Sequence, residues 1–284
     1  MKLLGAQAQV QDTSRQFVLD RFLFPRLSHA GLDTFLARRA IVRNLEGVLP
    51  RFTGTLLDVG CGQKPYRSLV LAPPSKVTTY IGLDLGPDAL TNPDGTEIYP
   101  SSPDLIWDGQ VIPLPDSAVD CAMATEVLEH CPAPEELLRE VRRVLVPGGL
   151  LFLTVPFLWP LHDVPHDEYR FTPYALSRQL NNAGFVDISL TPTGGWDSSL
   201  AQMLGLWVRR RPMSRLLRRM ASYAALPAIK WLQARDSIPS LEEGTPMITG
   251  LAGTALKPSL ERKSSISPAR GLSDGLPAVS AHDD

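Results

Sequence analysis

Cysteine is scarce in this sequence: Cys61, Cys121 and Cys131 are the only three in 284 residues, an odd number without CxxC spacing. That excludes a disulfide scaffold and a thiolate zinc site, and it makes a reducing, cytoplasmic compartment the expectation. Long hydrophobic runs are lacking too. None approaches the roughly 18 consecutive apolar residues of a spanning helix, and the longest, 150–161, is interrupted by Thr154 and by two prolines. The first ten residues have neither the apolar core nor the small-residue cleavage site of a secretory signal. Excess charge of one sign is absent as well. With 28 Lys and Arg against 30 Asp and Glu the formal charge is −2, which argues against a protein that coats nucleic acid, and no nucleic-acid partner is expected.

What is present is a chain that is 44% hydrophobic, long enough for a packed core without staples. Apolar residues recur at helical intervals over 11–49 with a break near Pro25, so residues 1–50 are expected to form a helical N-terminal cover. The texture then alternates. Strand patterns at 55–59, 77–83, 105–107, 119–125, 150–155 and 185–190 are interleaved with helical patterns at 66–71, 134–145 and 173–183. Pro147-Gly148-Gly149 reads as a stop and tight turn, Thr172 as an N-cap and Gly184 as a C-cap. Such alternation predicts an α/β fold, a mainly parallel sheet with helices on both faces.

The first strand ends in Asp58-Val59-Gly60-Cys61-Gly62, where small residues let the backbone approach a ligand closely. Asp84 ends the second strand 22 residues after Gly62, placed to accept hydrogen bonds from ribose hydroxyls. Dinucleotides and S-adenosylmethionine both use this geometry. The third glycine of a dinucleotide fingerprint is replaced by Pro65, which argues against NAD or FAD.

Leu56-Leu57-Asp58-Val59-Gly60-Cys61-Gly62 resembles the first motif of the class I S-adenosylmethionine-dependent methyltransferases. The resemblance continues, in order, through Tyr80 to Asp84, Leu114 to Asp120, Glu126-Val127-Leu128-Glu129-His130 and Val146 to Leu150. It covers about 100 residues and is similar to the methyltransferase type 11 group. The resemblance implies a Rossmann-like seven-stranded sheet and S-adenosyl-L-methionine as cofactor. It also implies site roles: Gly60 and Gly62 along the methionine part, Asp58 near its ammonium, Asp84 on the ribose, Asp108 on the adenine amino group, and Glu126 beside the methionine moiety.

Methyl transfer depends on alignment of a nucleophile with the sulfonium carbon, and a hydroxyl nucleophile gains from a base. His130 is one candidate at the fourth strand's end. The loop 156–171 is the other, with two of the five histidines, three carboxylates and several aromatics. It resembles the substrate-side segment of methyltransferases associated with sugar and cell-envelope polysaccharide pathways. His166 is the favoured base or substrate ligand, its ring oriented by Asp167 or Asp163. Arg170 can equally pair with Asp167 or Glu168. His162, Asp163 and His166 could supply metal ligands, but this chemistry does not require a metal and none is expected.

The last antiparallel strand of such a sheet matches 249–257, which leaves about 195–243 as an inserted helical region of the methyltransferase domain, 51–257. Pro212 and Pro227 are expected to divide its helices. Residues 198–235 carry eight basic and no acidic side chains among many apolar ones, whereas 1–197 carry 16 basic against 23 acidic. A peripheral contact with an anionic membrane, a lid over the substrate pocket and a solvated face are the readings of that element. The tail 258–284, rich in Ser, Pro, Ala and Gly, is expected to be disordered. The expected function is methylation of a small-molecule or glycan-type acceptor, at oxygen. N-methylation, or a degenerate fold acting as a binding or scaffold module, are the alternatives.

Overall fold

The computed structural model describes residues 21–86, 103–242 and 245–259. The start of the expected N-terminal cover, 1–20, most of the proline-rich stretch before β3, 87–102, and the expected disordered tail from 260 lie outside the described residues.

Seven strands form one sheet in the order β3-β2-β1-β4-β5-β7-β6. They are β1 (Thr53–Val59), β2 (Lys76–Leu85), β3 (Leu105–Trp107), β4 (Val119–Thr125), β5 (Leu145–Pro156), β6 (Val186–Pro192) and β7 (Gly250–Leu256). The first five pair in parallel, and β7 runs antiparallel to both β5 and β6. This is the Rossmann-like α/β architecture that the alternating pattern predicts. Central strands are buried on both faces, so they read as continuous apolar or small runs such as 121–125 within β4. Alternation along a strand divides the core in two. Leu57, Val59 and Ala122 pack with Leu137, Leu138, Leu176 and Leu180, whereas Leu56 and Met123 pack with Ile41, Val42, Leu45 and Phe52 on the other face.

The helices follow the signals in the sequence. α1 (Phe35–Val48) buries Phe35, Ile41, Val42, Leu45 and Val48. A single turn, α2 (Arg67–Val70), follows β1. α3 (Pro134–Val144) has proline at its start, Glu135 and Glu136 in the first turn and Arg142 and Arg143 in the last, each on the favourable end of the helix dipole. Thr172 caps α4 (Pro173–Asn182), its hydroxyl accepting from the Ala175 amide at 3.2 Å. Two expectations are corrected. β5 begins directly after α3, so Pro147-Gly148-Gly149 lies inside the strand as an irregularity, with the register shifting between Val119 and Cys121 on β4. Pro227 does not divide a helix. It sits within α6 (Arg215–Arg235) on the exposed side, where water can satisfy the carbonyl that the missing N–H leaves unpaired.

α5 (Trp196–Arg210) and α6 connect β6 to β7. Because Pro192 and Pro156 lie beside Leu251 and Gly250, both helices spring from the sheet edge where the parallel strands end. They pack against each other and the N-terminal segment through Leu32, Ala201, Val208, Ala225, Ile229 and Leu232, and Asp33 pairs with Arg210 at 2.8 Å. Among the described residues no helix is long and apolar enough to cross a membrane.

Gly205 fixes this packing, since a Cβ there would stand 2.2 Å from the Leu32 carbonyl oxygen, whereas nothing lies within 4 Å of one at Gly47. Gly205→Ala is expected to lower Tm by about 3 °C or more and to open the α5–α6 pair to limited proteolysis. Gly47→Ala, inside α1, is expected to leave Tm unchanged or raise it by about 1–3 °C.

Candidate active site

Parallel strands deliver their carboxyl ends to one edge, and the chemistry-bearing residues collect there. After β1, Gly60 and Gly62 hold left-handed backbone, φ +67° and +50°, and a Cβ on Gly60 would meet Val127 Cγ2 at 2.5 Å. The loop is tied to β2 by the Cys61 amide on the Leu83 carbonyl, 3.0 Å, and by the Gly62 amide on Asp84 Oδ2, 2.8 Å. The Leu85 amide donates to Asp84 Oδ1, 2.8 Å, which fixes the carboxylate over the loop. Lys64 Nζ reaches Asp104 Oδ1 at 2.5 Å, and Asp104 Oδ2 accepts from the Gly82 amide at 2.7 Å. Asp58 is buried beneath the loop and accepts a hydrogen bond from the Tyr80 hydroxyl. Burial pushes its carboxyl up to about 7, against the lowering effect of that hydroxyl.

Asp108 is exposed just past β3, its Oδ1 accepting from the amides of Gln110 at 2.8 Å and Val111 at 3.0 Å. Those bonds form an Asx-type turn and hold its carboxyl below the ordinary range. Glu126, directly after β4, has left-handed backbone, φ +55°, unusual for a residue with a side chain. Its amide donates to the Thr154 carbonyl at 3.0 Å and its Oε1 accepts from the Thr154 hydroxyl at 2.8 Å.

One turn on, Glu129 is 0% exposed, and neither carboxylate oxygen has a hydrogen-bond partner among the described residues. Burial, with Glu126 nearby, pushes its carboxyl well above the ordinary range. The Glu129 carbonyl accepts from the amides of Glu168, 2.8 Å, and Tyr169, 3.1 Å, so the loop after β5 is pinned across it. His130 Nδ1 meets the His166 carbonyl at 2.9 Å, and His162 Nδ1 meets Asp167 Oδ2 at 3.2 Å. Both acceptors are oxygens, so Nδ1 is the donor in each ring, and in a neutral ring the lone pair falls on Nε2. The rings stand 4.7 Å apart, edge to face. Arg170 grips Asp167 bidentately, 2.6 and 2.7 Å, and holds that carboxyl down to about 2 despite its burial.

The structure thus brings together Asp58, Gly60, Gly62 and Asp84 at one place and Glu126, His130 and Asp167 at the neighbouring one. It does not put Asp167 or Asp163 on the His166 ring. Asp167 serves Arg170 and His162, and His166 is exposed, contributing its carbonyl rather than its ring. Glu129 and His162 are the members that sequence reasoning missed as a pair. The signal was an acidic residue beside His130 in a motif expected to be buried, but it lies 33 positions from His162.

The comparisons bear on this geometry directly. Residues 57–153 match the family described as "Methyltransferase domain". An uncharacterized methyltransferase of Mycobacterium ulcerans is 33% identical over 181 residues, covering 56% of this chain and 67% of that one. The chain belongs to the S-adenosylmethionine-dependent methyltransferase family. An uncharacterized methyltransferase of Mycobacterium leprae is 34% identical over 140 residues, covering 45% of this chain and 48% of its own. The chain spans about half the length, or less, of such curated relatives. A SAM-dependent methyltransferase structure from Archaeoglobus fulgidus overlays with a TM-score of 0.47 at 17% identity, over 85% of this chain and 99% of that one. The residues of this methyltransferase fit the family's cofactor. Gly60 and Gly62 are left-handed and carry no side chain, Asp84 is fixed over the loop, and buried Gln63 Oε1, in the loop after β1, and Trp107 Nε1, at the end of β3, have no partner among the described residues.

A pH dependence follows from Asp58. Its carboxyl is raised on folding from 3.8 to about 7, so the fold favours the protonated form. The associated stability is present below the unfolded value and is lost as pH rises through the folded one. Asp58→Asn keeps an acceptor for Tyr80 without a charge to bury. The Tm difference, variant minus wild type, is expected to grow between about pH 4.5 and 7.5, by ~3 °C or more. A difference that does not change with pH contradicts the burial argument.

Proposed function

We propose that the protein transfers the methyl group of S-adenosylmethionine to a hydroxyl oxygen of a small-molecule or glycan-type acceptor. The observation that carries this reading is the adjacency of β1 and β4, which pair directly. β1 delivers the glycine loop and β4 delivers the segment from Glu126 to His130 on the same edge. When bound, the cofactor supplies a methyl group on a sulfonium, an electrophile that needs no further activation.

The chain's own residues bind, orient and exclude. Gly60 and Gly62 admit the methionine part closely, Asp58 and Glu126 lie near it, Asp84 accepts the ribose hydroxyls, and Asp108 the adenine amino group. On the acceptor side, His130 and His162 stand beside Glu129 with Nδ1 bonded to fixed oxygens, and a neutral imidazole there offers Nε2 as the base from which a hydroxyl nucleophile gains. Asp167 and Arg170 hold the loop so that this face keeps its orientation. The loop's Leu158 carbonyl accepts from Gln202 Nε2 at 2.5 Å, so α5 walls the acceptor side.

Calorimetry on the full chain is expected to show S-adenosylmethionine binding that weakens at least about tenfold in Asp84→Ala. No binding, or unchanged binding in the variant, overturns the cofactor assignment. With methyl-labelled cofactor and a cell extract, label is expected in a small-molecule or glycan fraction. His162→Ala should cut that labelling about 100-fold or more with cofactor affinity within about twofold, and His166→Ala less than about tenfold. Label in protein or nucleic acid contradicts the acceptor class.

The outer faces of α5 and α6 support a peripheral contact with an anionic membrane. Trp196, Leu200, Met203 and Trp207 recur at helical spacing along α5, and Leu216, Met220, Tyr223 and Trp231 along α6, all exposed. α6 buries Ser222, Ala225, Ile229 and Leu232 on the opposite face. Arg211, Arg219 and Arg235 lie over Trp207, Tyr223 and Trp231, placing cations beside the aromatics as a headgroup layer favours. Vesicles of phosphatidylglycerol and phosphatidylcholine should carry the protein in flotation at low salt, and the Arg215→Glu/Arg219→Glu double variant should stay at the bottom. Failure of the wild type to float removes this reading.

A further inference from the structure

We propose that Glu129, His130 and His162 form a binding site for one divalent first-row transition cation, of the series from Mn²⁺ to Zn²⁺, with an open position toward the acceptor. One ligand atom from each residue lies within 4.8 Å of the other two. Around a single ion, bonds of roughly 2.1 Å set ligand atoms about 3–4 Å apart. Glu129 Oε1 and His130 Nε2, at 3.8 Å, already stand at that spacing. His162 sits on the loop after β5 with its side chain 28% exposed, free on one side to adjust to an ion.

Two further features point to a cation rather than to incidental packing. Both oxygens of Glu129 are buried without a donor among the described residues, and one of them faces His130. Burial favours the protonated form of this carboxyl, and a cation bound there would displace that proton and supply the partner charge the carboxylate then needs. Each histidine, in addition, has its Nδ1 fixed by an oxygen of the surroundings, the His166 carbonyl or Asp167 Oδ2. That is the arrangement in which outer hydrogen bonds orient metal-binding imidazoles and leave Nε2 as the ligand. Two imidazoles and one carboxylate suit the transition series better than Mg²⁺ or Ca²⁺, and three protein ligands leave room for a fourth from solvent or acceptor.

The triad differs from the set His162, Asp163 and His166 that the sequence suggested. Asp163 and His166 are exposed and take no part in it, and the proposal departs from the expectation of no metal. The cation's role, though not its site, rests on the methyl-transfer reading. With the two imidazoles given to the cation they no longer act as bases, and an acceptor hydroxyl in the open position is instead acidified by the cation and passes its proton to water. Its oxygen then bonds to the methyl carbon as the sulfur–carbon bond breaks, leaving a neutral thioether.

The test is cation binding by full-length protein stripped with a chelator, titrated with Zn²⁺ and with Mn²⁺ against a chromophoric competitor, in the absence of S-adenosylmethionine. One equivalent should bind, at least about tenfold more weakly in His162→Ala and in Glu129→Gln. His162→Ala changes a half-exposed loop side chain, so it keeps the test informative if the buried substitution fails to fold. Failure to bind either cation, or equal affinity in His162→Ala, overturns the site. Calorimetry with S-adenosylmethionine on the same stripped protein separates the two claims. Cofactor binding without cation binding refutes the cation site alone, and cation binding without cofactor binding refutes the methyl-transfer reading while the site stands.

Discussion

Glu129 is where the structure is most constrained. Its side chain is enclosed with no donor to either oxygen among the described residues, and its carbonyl takes two amides from the loop after β5. A carboxyl group in that position costs free energy that the surrounding packing must offset, and the packing is correspondingly specific. Glu126 before it is forced into left-handed backbone, and His130 after it is held by the His166 carbonyl. The loop 157–171 owes its course to these contacts together with the Asp167–Arg170 clamp. Since β4 lies between β1 and β5, whatever fixes its carboxyl end also fixes the distance between the glycine loop and the imidazole pair.

Much of the fold was legible because its signals are local. Pro134 and the charged ends of α3, the Thr172 cap and the glycine loop announce themselves within a few residues. The strand edge that collects Asp58, Asp84 and Glu126 follows from parallel pairing alone. The acceptor side was less legible. Asp167 could be paired on paper with any nearby histidine, and only the folded loop shows that Arg170 and His162 take it. Pro227 was misjudged because a proline breaks a helix only where the unpaired carbonyl cannot reach water, and here it lies on the exposed side. Lys64 and Asp104 gave no sequence signal for their pairing, 40 residues apart.

The near-zero net charge conceals a division of labour. The body that holds the site is acidic, and the paired helices between β6 and β7 carry eight basic side chains over 198–235 with none acidic. Those helices leave and re-enter the sheet at the edge where the site lies, and Gln202 joins them to the acceptor loop. An acceptor held at a membrane surface would therefore reach the imidazole face without crossing the body of the protein.

In the proposed reaction one sheet edge holds cofactor and acceptor chemistry side by side, with the reacting sulfur between them. A crystal structure with bound S-adenosylhomocysteine tests it most directly. The account predicts the adenosine toward Asp84 and Asp108, the homocysteine over Gly60 and Gly62, and the thioether sulfur facing His130 and His162. A ligand whose sulfur points away from that pair, or one bound elsewhere on the molecule, would contradict it.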